Sequence, residues 1–325
     1  MKKNIAIVGG GNSSEYEVSV KSTQMMMNWI DAQKYNPYRV IIRGKEWNVE
    51  LPDGCKLPID RNDFSFNHSG TKITIDCAIM AIHGTPGENG ILQSYFELIG
   101  LPYNTCDVFC SALTFNKYAT KLFLKEYGIP SADCVFFRKN DTYDVHHIAQ
   151  KLGFPCFVKP NSSGSSCGIK KADNIEQLKA AIEFALTEDS EILIEKGIVG
   201  TEVTSGLLKL KNEQWIFPIT EIVTKNEFFD YEAKYQEGKS EEITPARLSD
   251  ELTLKVKETS LKIYNALNCR GIVRIDYIIS NNEPYFLEVN TVPGMSPQSV
   301  VPQQIAAMGH TVTEIYSKII DELLC

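Results

Sequence analysis

The sequence predicts an α/β protein with an N-terminal parallel-sheet domain followed by two further lobes, and three observations predict it. Short apolar strands alternate with helical patterns over the first hundred residues, as strand–helix–strand crossovers require. At 325 residues the chain exceeds the size at which one hydrophobic core stops growing, so it divides. The last lobe holds long strands and closes on a two-strand hairpin that carries its charges on one face.

The elements follow in order. NIAIVGGG predicts a first strand at Asn4 to Val8, and a helix follows at Val18 to Ile30. Strands at Tyr38 to Ile42 and Thr74 to Ile82 and a helix at Leu92 to Ile99 complete a lobe of residues 1–104, closed by GLPYN. A second lobe, 105–190, carries helices at Asn116 to Tyr127 and Asn174 to Leu186, with the strand PCFVKP between them. The third, 191–325, opens at EILIEKG. Its helix, Asp250 to Leu267, places Leu252, Val256, Ile263, Tyr264 and Leu267 at helical spacing behind an N-cap at Ser249, with Asp250 and Glu251 complementing the dipole. No repeat and no low-complexity segment interrupts the chain.

Hydrophobic residues make up 43% and charged residues 23%, the balance of an ordinary globular protein. A net charge of −8 disfavours a nucleic-acid partner, whose phosphates need clustered Lys and Arg. An anionic substrate then needs a local basic pocket. The nine cysteines are scattered, odd in number and never spaced as CxxC, which predicts small buried thiols in a reducing cytoplasm rather than a zinc site or disulfides. MKKNIAIVGGG is too short in its apolar run for a signal peptide or a membrane span, so the expected location is the cytoplasm.

The closing hairpin, GIVRIDYIISNNEPYFLEVN, carries the strongest chemical signal. With a turn centred on Asn282, Asp276 lies opposite Glu288 and Arg274 opposite Asn290, all on one face, while Val273, Ile275, Leu287 and Val289 point to the core. Two carboxylates ~4 Å apart repel by about 4 kcal/mol at an effective dielectric near 20. Two readings offset this. Arg274 can serve as a structural counter-ion, or Asp276, Glu288 and Asn290 supply the hard oxygen set that suits Mg²⁺ with bound phosphates. The amide favours the metal.

A phosphate site is then expected upstream. FVKPNSSGSSCGIK is a strand ending in Lys159 that runs into a Gly/Ser loop whose backbone N–H groups can wrap oxyanions. Such a loop alone is usually a flexible connection. Lys117 is a candidate second lysine, although a lone helical lysine is more often solvated. ILIEKGI, with Glu195 and Lys196, and Glu202 beyond it fit an edge that reads adenine and ribose, a weak signal by itself.

Together these segments resemble the D-alanine:D-alanine ligases of the ATP-grasp superfamily over essentially the whole chain. GGNSSEYEVSVKS, HGTPGENGILQS, NKYATK, FFDYEAKY and NTVPGMSPQSVVP stand in the family's order beside RIDY and LEVN. The resemblance implies a Rossmann-like parallel-sheet domain followed by a two-lobed ATP-grasp domain. It implies a cytoplasmic bacterial enzyme, commonly a homodimer, that joins two D-alanines with ATP through a D-alanyl phosphate for cell-wall synthesis. Glu17 of EVS would pair with the first D-alanine's ammonium beside His83. Arg274 and the Gly294 N–H would form the oxyanion hole, and Ser299 would orient the second D-alanine's carboxylate. Lys117, Lys159 and Lys234 would contact phosphates, while Glu195, Lys196, Ile198 and Glu202 line the adenosine site. Asp276, Glu288 and Asn290 would hold two Mg²⁺ or Mn²⁺ ions. EFFDYEAKYQEGK, blandly a surface loop, would be a lid in which Tyr235 bonds with Ser165 and Glu17 to seal out water. Tyr235 also favours an amine over a hydroxyl as second nucleophile.

Some positions depart from the commonest pattern: Asn161, Ser162 and Ser163 stand where relatives often carry an arginine, and Gln298 and Val300 flank Ser299 where His and Leu are frequent. A nicotinamide-binding oxidoreductase is the competing class, from GGGNSS after the first strand and Arg43 after the second. It fits GxGxxG spacing poorly, because Ser14 stands where the third glycine belongs. An inert nucleotide-binding relative is the other alternative, one that would not require an oxyanion donor such as Arg274.

Overall fold

Strand β1 (Lys3–Gly10) runs buried between β2 (Tyr35–Arg43) and β7 (Cys77–Met80) and is parallel to both, with Lys3 opposite Tyr35 and Ile5 opposite Cys77. Helix α1 (Tyr16–Trp29) makes the first crossover and α2 (Ile91–Ile99) follows β7. The computed structural model describes residues 2–162, 168–224 and 240–325. The predicted parallel sheet is confined to those three strands. Beyond β2 the sheet continues antiparallel through β3 (Glu46–Glu50), β4 (Lys56–Asp60), β5 (Ser65–His68) and β6 (Thr71–Ile73), seven strands in all. That meander went unpredicted because its alternation is diluted by charged and turn residues.

After α3 (Val108–Phe115) and α4 (Lys117–Lys125) comes a four-stranded sheet. It is built from β8 (Cys134–Arg138), β9 (Cys156–Pro160), β10 (Lys170–Ala172) and β11 (Glu191–Lys196), in the order β10-β9-β11-β8. Helices α5 (Val145–Leu152) and α6 (Ile175–Glu188) pack on it. The predicted lobe boundary at residue 190 is therefore too early: β11 lies between β9 and β8, and its Ile192 and Ile194 fill this lobe's own core.

The last sheet joins β12 (Thr201–Lys209), β13 (Gln214–Ile216), β14 (Thr220–Thr224), β15 (Ser240–Ile243), β16 (Gly271–Ser280) and β17 (Glu283–Asn290), with β16 between β12 and β17. Helix α7 (Asp250–Ala266), capped by Ser249 Oγ as predicted, packs on one face. Helices α8 (Val300–Ala307) and α9 (Val312–Leu323) end the chain. A single core runs from Ile5 and Ile79 of the first sheet and Met26 of α1 to Leu208 of β12, Phe217 after β13 and Ile315 of α9, so the first and third lobes share their interior.

Gly271, at the entry to β16, has φ +66°, and a Cβ there would stand 1.8 Å from the Asn104 carbonyl oxygen. Gly271→Ala therefore meets both a backbone clash and a strained dihedral, and is expected to cost about 2 kcal/mol or more. Urea unfolding would measure it; a variant as stable as the parent would show that this junction yields freely.

Candidate active site

The hairpin forms as a two-residue turn plus a bulge. Asn281 and Asn282 have φ of 51° and 60°, as a type I′ turn demands at both central positions. The turn is thus centred between these residues rather than on Asn282, and pairs Ser280 with Glu283 and Tyr277 with Phe286. Uninterrupted, that register would set Leu287 against Asp276. An irregularity after Asp276 leaves Leu287 without a partner, so Asp276 faces Glu288 and Arg274 faces Asn290, as predicted. Leu287 is accordingly half-buried and outside the core cluster, where Phe286 and Val289 pack instead.

Asp276, 7% exposed, accepts from Arg274 Nε at 2.9 Å and Nη2 at 2.8 Å, from Thr204 Oγ1 at 2.6 Å and from Asn290 Nδ2 at 3.1 Å. Arg274 is thus a counter-ion to Asp276, so the structural reading of this residue holds alongside any catalytic one. Glu288 has Lys117 Nζ 3.9 Å away. Glu88, Lys117, Glu288 and Asn290 line a small cavity of about 30 Å³, room enough for a water molecule or a small ion. Carboxylate and amide oxygens beside such a space fit a hard divalent cation, and the Lys117 ammonium beside them fits an anion bridging both charges. Asn290, which presents its nitrogen to Asp276, would turn its amide to offer oxygen.

From the first lobe come Glu15, His83 and Glu88. Ser19 Oγ accepts from Gly10 N at 2.9 Å and donates to Ala81 O at 2.6 Å, tying the glycine turn to the end of β7. Ser19, Ser22, Thr23 and Met26 form the buried face of α1. Glu15, four residues before Ser19, shares that face and is 4% exposed, whereas Glu17 is exposed to solvent. Charge interactions couple Glu15 to both His83 and Glu88. The structure therefore brings Glu15, not Glu17, to the site. Burial holds the His83 pKa below its usual value, with Arg274 adding to the shift against the pull of Glu15. Burial, then the charge of Glu15, raises Glu88 to about 8. Glu88 accepts from Gly84 N at 2.7 Å, pinning the HGTPGENG loop.

Of the phosphate candidates, Lys159 lies at Glu195, whereas Lys117 lies beside Glu288. Lys159 and Lys121 both pair with the buried Glu195 carboxylate, Lys159 from β9 and Lys121 from α4. Lys121 was missed in the sequence; its signal was NKYATK, where it follows Lys117 by one helical turn. Burial alone would raise the Glu195 pKa, but the ammonium groups of Lys159 and Lys121 outweigh it and hold it at about 2. A carboxyl group depressed from 4.5 to about 2 contributes stability that is complete above pH 4.5 and is lost as pH falls towards 2. Glu195→Gln is expected to melt lower at neutral pH, with the gap to wild type closing between about pH 5 and pH 2. A gap independent of pH would refute the pairing. Lys196 is exposed, and Ile198 and Glu202 are half-buried on the connection into β12 and its start.

Gly294 and Ser299 stand together: a Cβ on Gly294 would lie 2.9 Å from Ser299 Oγ. Ser299 is the N-cap residue of α8 and bonds Ser296 Oγ at 2.8 Å rather than capping the helix. Trp29 Nε1 donates to Met295 O at 3.1 Å and anchors this loop to α1. Ser165, Lys234 and Tyr235, with Ser163 and Cys167, lie outside the described residues.

Family models described as the D-ala D-ala ligase N-terminus and C-terminus match residues 4–106 and 123–323. The chain is 50% identical over 319 residues to the D-alanine--D-alanine ligase of Flavobacterium johnsoniae, covering 98% of each. It is 48% identical over 322 residues to the ligase of the same name from Phocaeicola vulgatus, covering 99% of each. Among solved structures it superposes with a TM-score of 0.88 on VanG D-Ala:D-Ser ligase from Enterococcus faecalis, at 32% identity, covering 99% of this chain and 100% of that one. With D-alanine--D-alanine ligase from Bacillus anthracis complexed with ATP the TM-score is 0.79 at 29% identity, covering 99% and 97%.

Proposed function

Because the chain belongs to the D-alanine–D-alanine ligase family, we propose an assignment of its own residues to that family's reaction. The reaction is the ATP-dependent joining of two D-alanines into D-alanyl-D-alanine, a peptidoglycan precursor. The fold is an N-terminal α/β domain followed by a two-lobed ATP-grasp domain.

The first D-alanine places its ammonium against the buried Glu15 carboxylate, with the His83 ring beside it. Its carboxylate oxygen attacks the γ-phosphorus of ATP, and ADP leaves. Lys117 and Lys159 take the phosphate charge, with Glu195, Lys196, Ile198 and Glu202 around the adenosine. Two Mg²⁺ or Mn²⁺ ions, held by Asp276, Glu288 and Asn290, would supply neutralisation of the phosphate oxygens. The second D-alanine sets its carboxylate at Ser299, where the N-terminus of α8 favours negative charge. Its amine, having lost a proton, attacks the acyl phosphate carbon. Arg274 and the Gly294 N–H receive the tetrahedral oxyanion, which collapses to the peptide bond and inorganic phosphate. Lys234, Tyr235 and Ser165 keep their expected parts in phosphate binding and closure, and the division of the chain falls near residues 104 and 196.

We place the protein in the bacterial cytoplasm, where its co-substrate ATP is made; among the described residues no helix is long and apolar enough to cross a membrane. A homodimer is supported by exposed apolar side chains on α2 and α3, Leu98 at 86% and Phe109 at 67%.

The opposition of Asp276 and Glu288 beside Asn290, Lys117 and a small cavity carries this assignment. Purified protein with MgATP is expected to release phosphate with D-alanine and not with L-alanine. Phosphate release indifferent to D-alanine would remove the ligase assignment.

A further inference from the structure

Three cysteines that are far apart in sequence meet in the fold. Cys106 precedes α3, Cys110 lies in its first turn, and Cys269 stands two residues before β16. All three are buried, and their sulfurs lie within 4.8 Å of one another, with Cys110 Sγ 3.7 Å from Cys269 Sγ. All three are free buried thiols, as expected, and they meet because the third arrives from a different lobe.

We infer that Cys106, Cys110 and Cys269 form a binding site for a thiophilic d¹⁰ metal ion, Zn(II) or Cu(I). Sulfurs bound at ~2.3 Å in a tetrahedral or trigonal shell stand about 3.8–4.0 Å apart, close to the 3.7 Å of the Cys110–Cys269 pair, with Cys106 within 4.8 Å of both. The Arg270 backbone N–H points at Cys106 Sγ from 3.4 Å, the kind of outer contact that stabilises a thiolate ligand. Entry is provided by a cavity of about 490 Å³ that Cys269 lines together with Asn104, Tyr264 and Arg270. Zn(II) would take its fourth donor from water on that side; Cu(I) needs none. The bound ion joins the exit of the first lobe to the root of the strand that carries Arg274 and Asp276.

The test uses the reduced full-length protein free of magnesium. Zn(II), Cu(I) under argon and Cd(II) as an ultraviolet probe are titrated separately. Expected are a sulfur-to-cadmium charge-transfer band that saturates at one equivalent and a melting temperature raised by several degrees by Zn(II) or Cu(I), whichever binds. Cadmium at the oxygen ligands of the active site gives no such band. Cys110→Ala and Cys269→Ala should each abolish band and shift, while replacement of exposed Cys55 changes neither. Should a variant fail to fold, alkylation of the wild type mapped by mass spectrometry replaces it, with Cys106, Cys110 and Cys269 protected by metal. No saturable band, a band that survives these replacements, or alkylation of the three cysteines undiminished by metal would each overturn the site.

Discussion

Replacing Arg274 by methionine is expected to lower kcat for dipeptide formation by about 10²–10³-fold, the usual consequence of removing one oxyanion donor. Arg274 sits on β16 with its guanidinium fixed against Asp276 through Nε and Nη2, so it does not have to be ordered as charge develops on the reacting oxygen. Methionine keeps much of the side-chain volume but leaves Asp276 with only Thr204 and Asn290 as hydrogen-bonding partners among those seen here. Some stability is therefore lost as well, and the measurement must separate the two. Melting temperature and ATP-dependent protection report the fold and the nucleotide site, while kcat and KM for D-alanine report the chemistry. A folded variant within tenfold of wild-type kcat would confine Arg274 to its counter-ion role.

Glu15→Gln should raise the KM for the first D-alanine by roughly 10²-fold or more, because a buried carboxylate facing a substrate ammonium loses the kind of contact worth about 3–5 kcal/mol when broken. ATP affinity should change by no more than about twofold, since the Lys121–Glu195–Lys159 cluster is untouched. Glu17→Gln, on the exposed side of α1, should be silent. If the two variants exchanged these phenotypes, the assignment of Glu15 would be wrong and the reading of the EVS motif alone would be restored.

What the sequence disclosed depended on how local each signal was. β1, α1, α4 and α7 carry their periodicity, caps and glycine punctuation within a dozen residues, and they appear where expected, within a few residues at their ends. The hairpin face was legible because a period of two survives errors of register. The bulge at Leu287 was not, since nothing in FLEVN marks which residue loses its partner. Glu15 and Glu17 are adjacent acids in one motif, and only the buried serine and threonine face of α1 separates them. Lys121 and the three clustered thiols depend on contacts spanning 74 to 164 residues, and no local pattern encodes those.

The shared interior of the first and third lobes bears on how this chain can be cut and recombined. Ile5, Met26 and Ile79 are covered by side chains that are not synthesised until some two hundred residues later. The opening segment emerging from a ribosome thus has only half its covering and must wait, shielded or loosely folded, for the tail. The stretch from Cys134 to Lys196 seals its own centre, and it is the piece that could be exchanged between relatives as a unit.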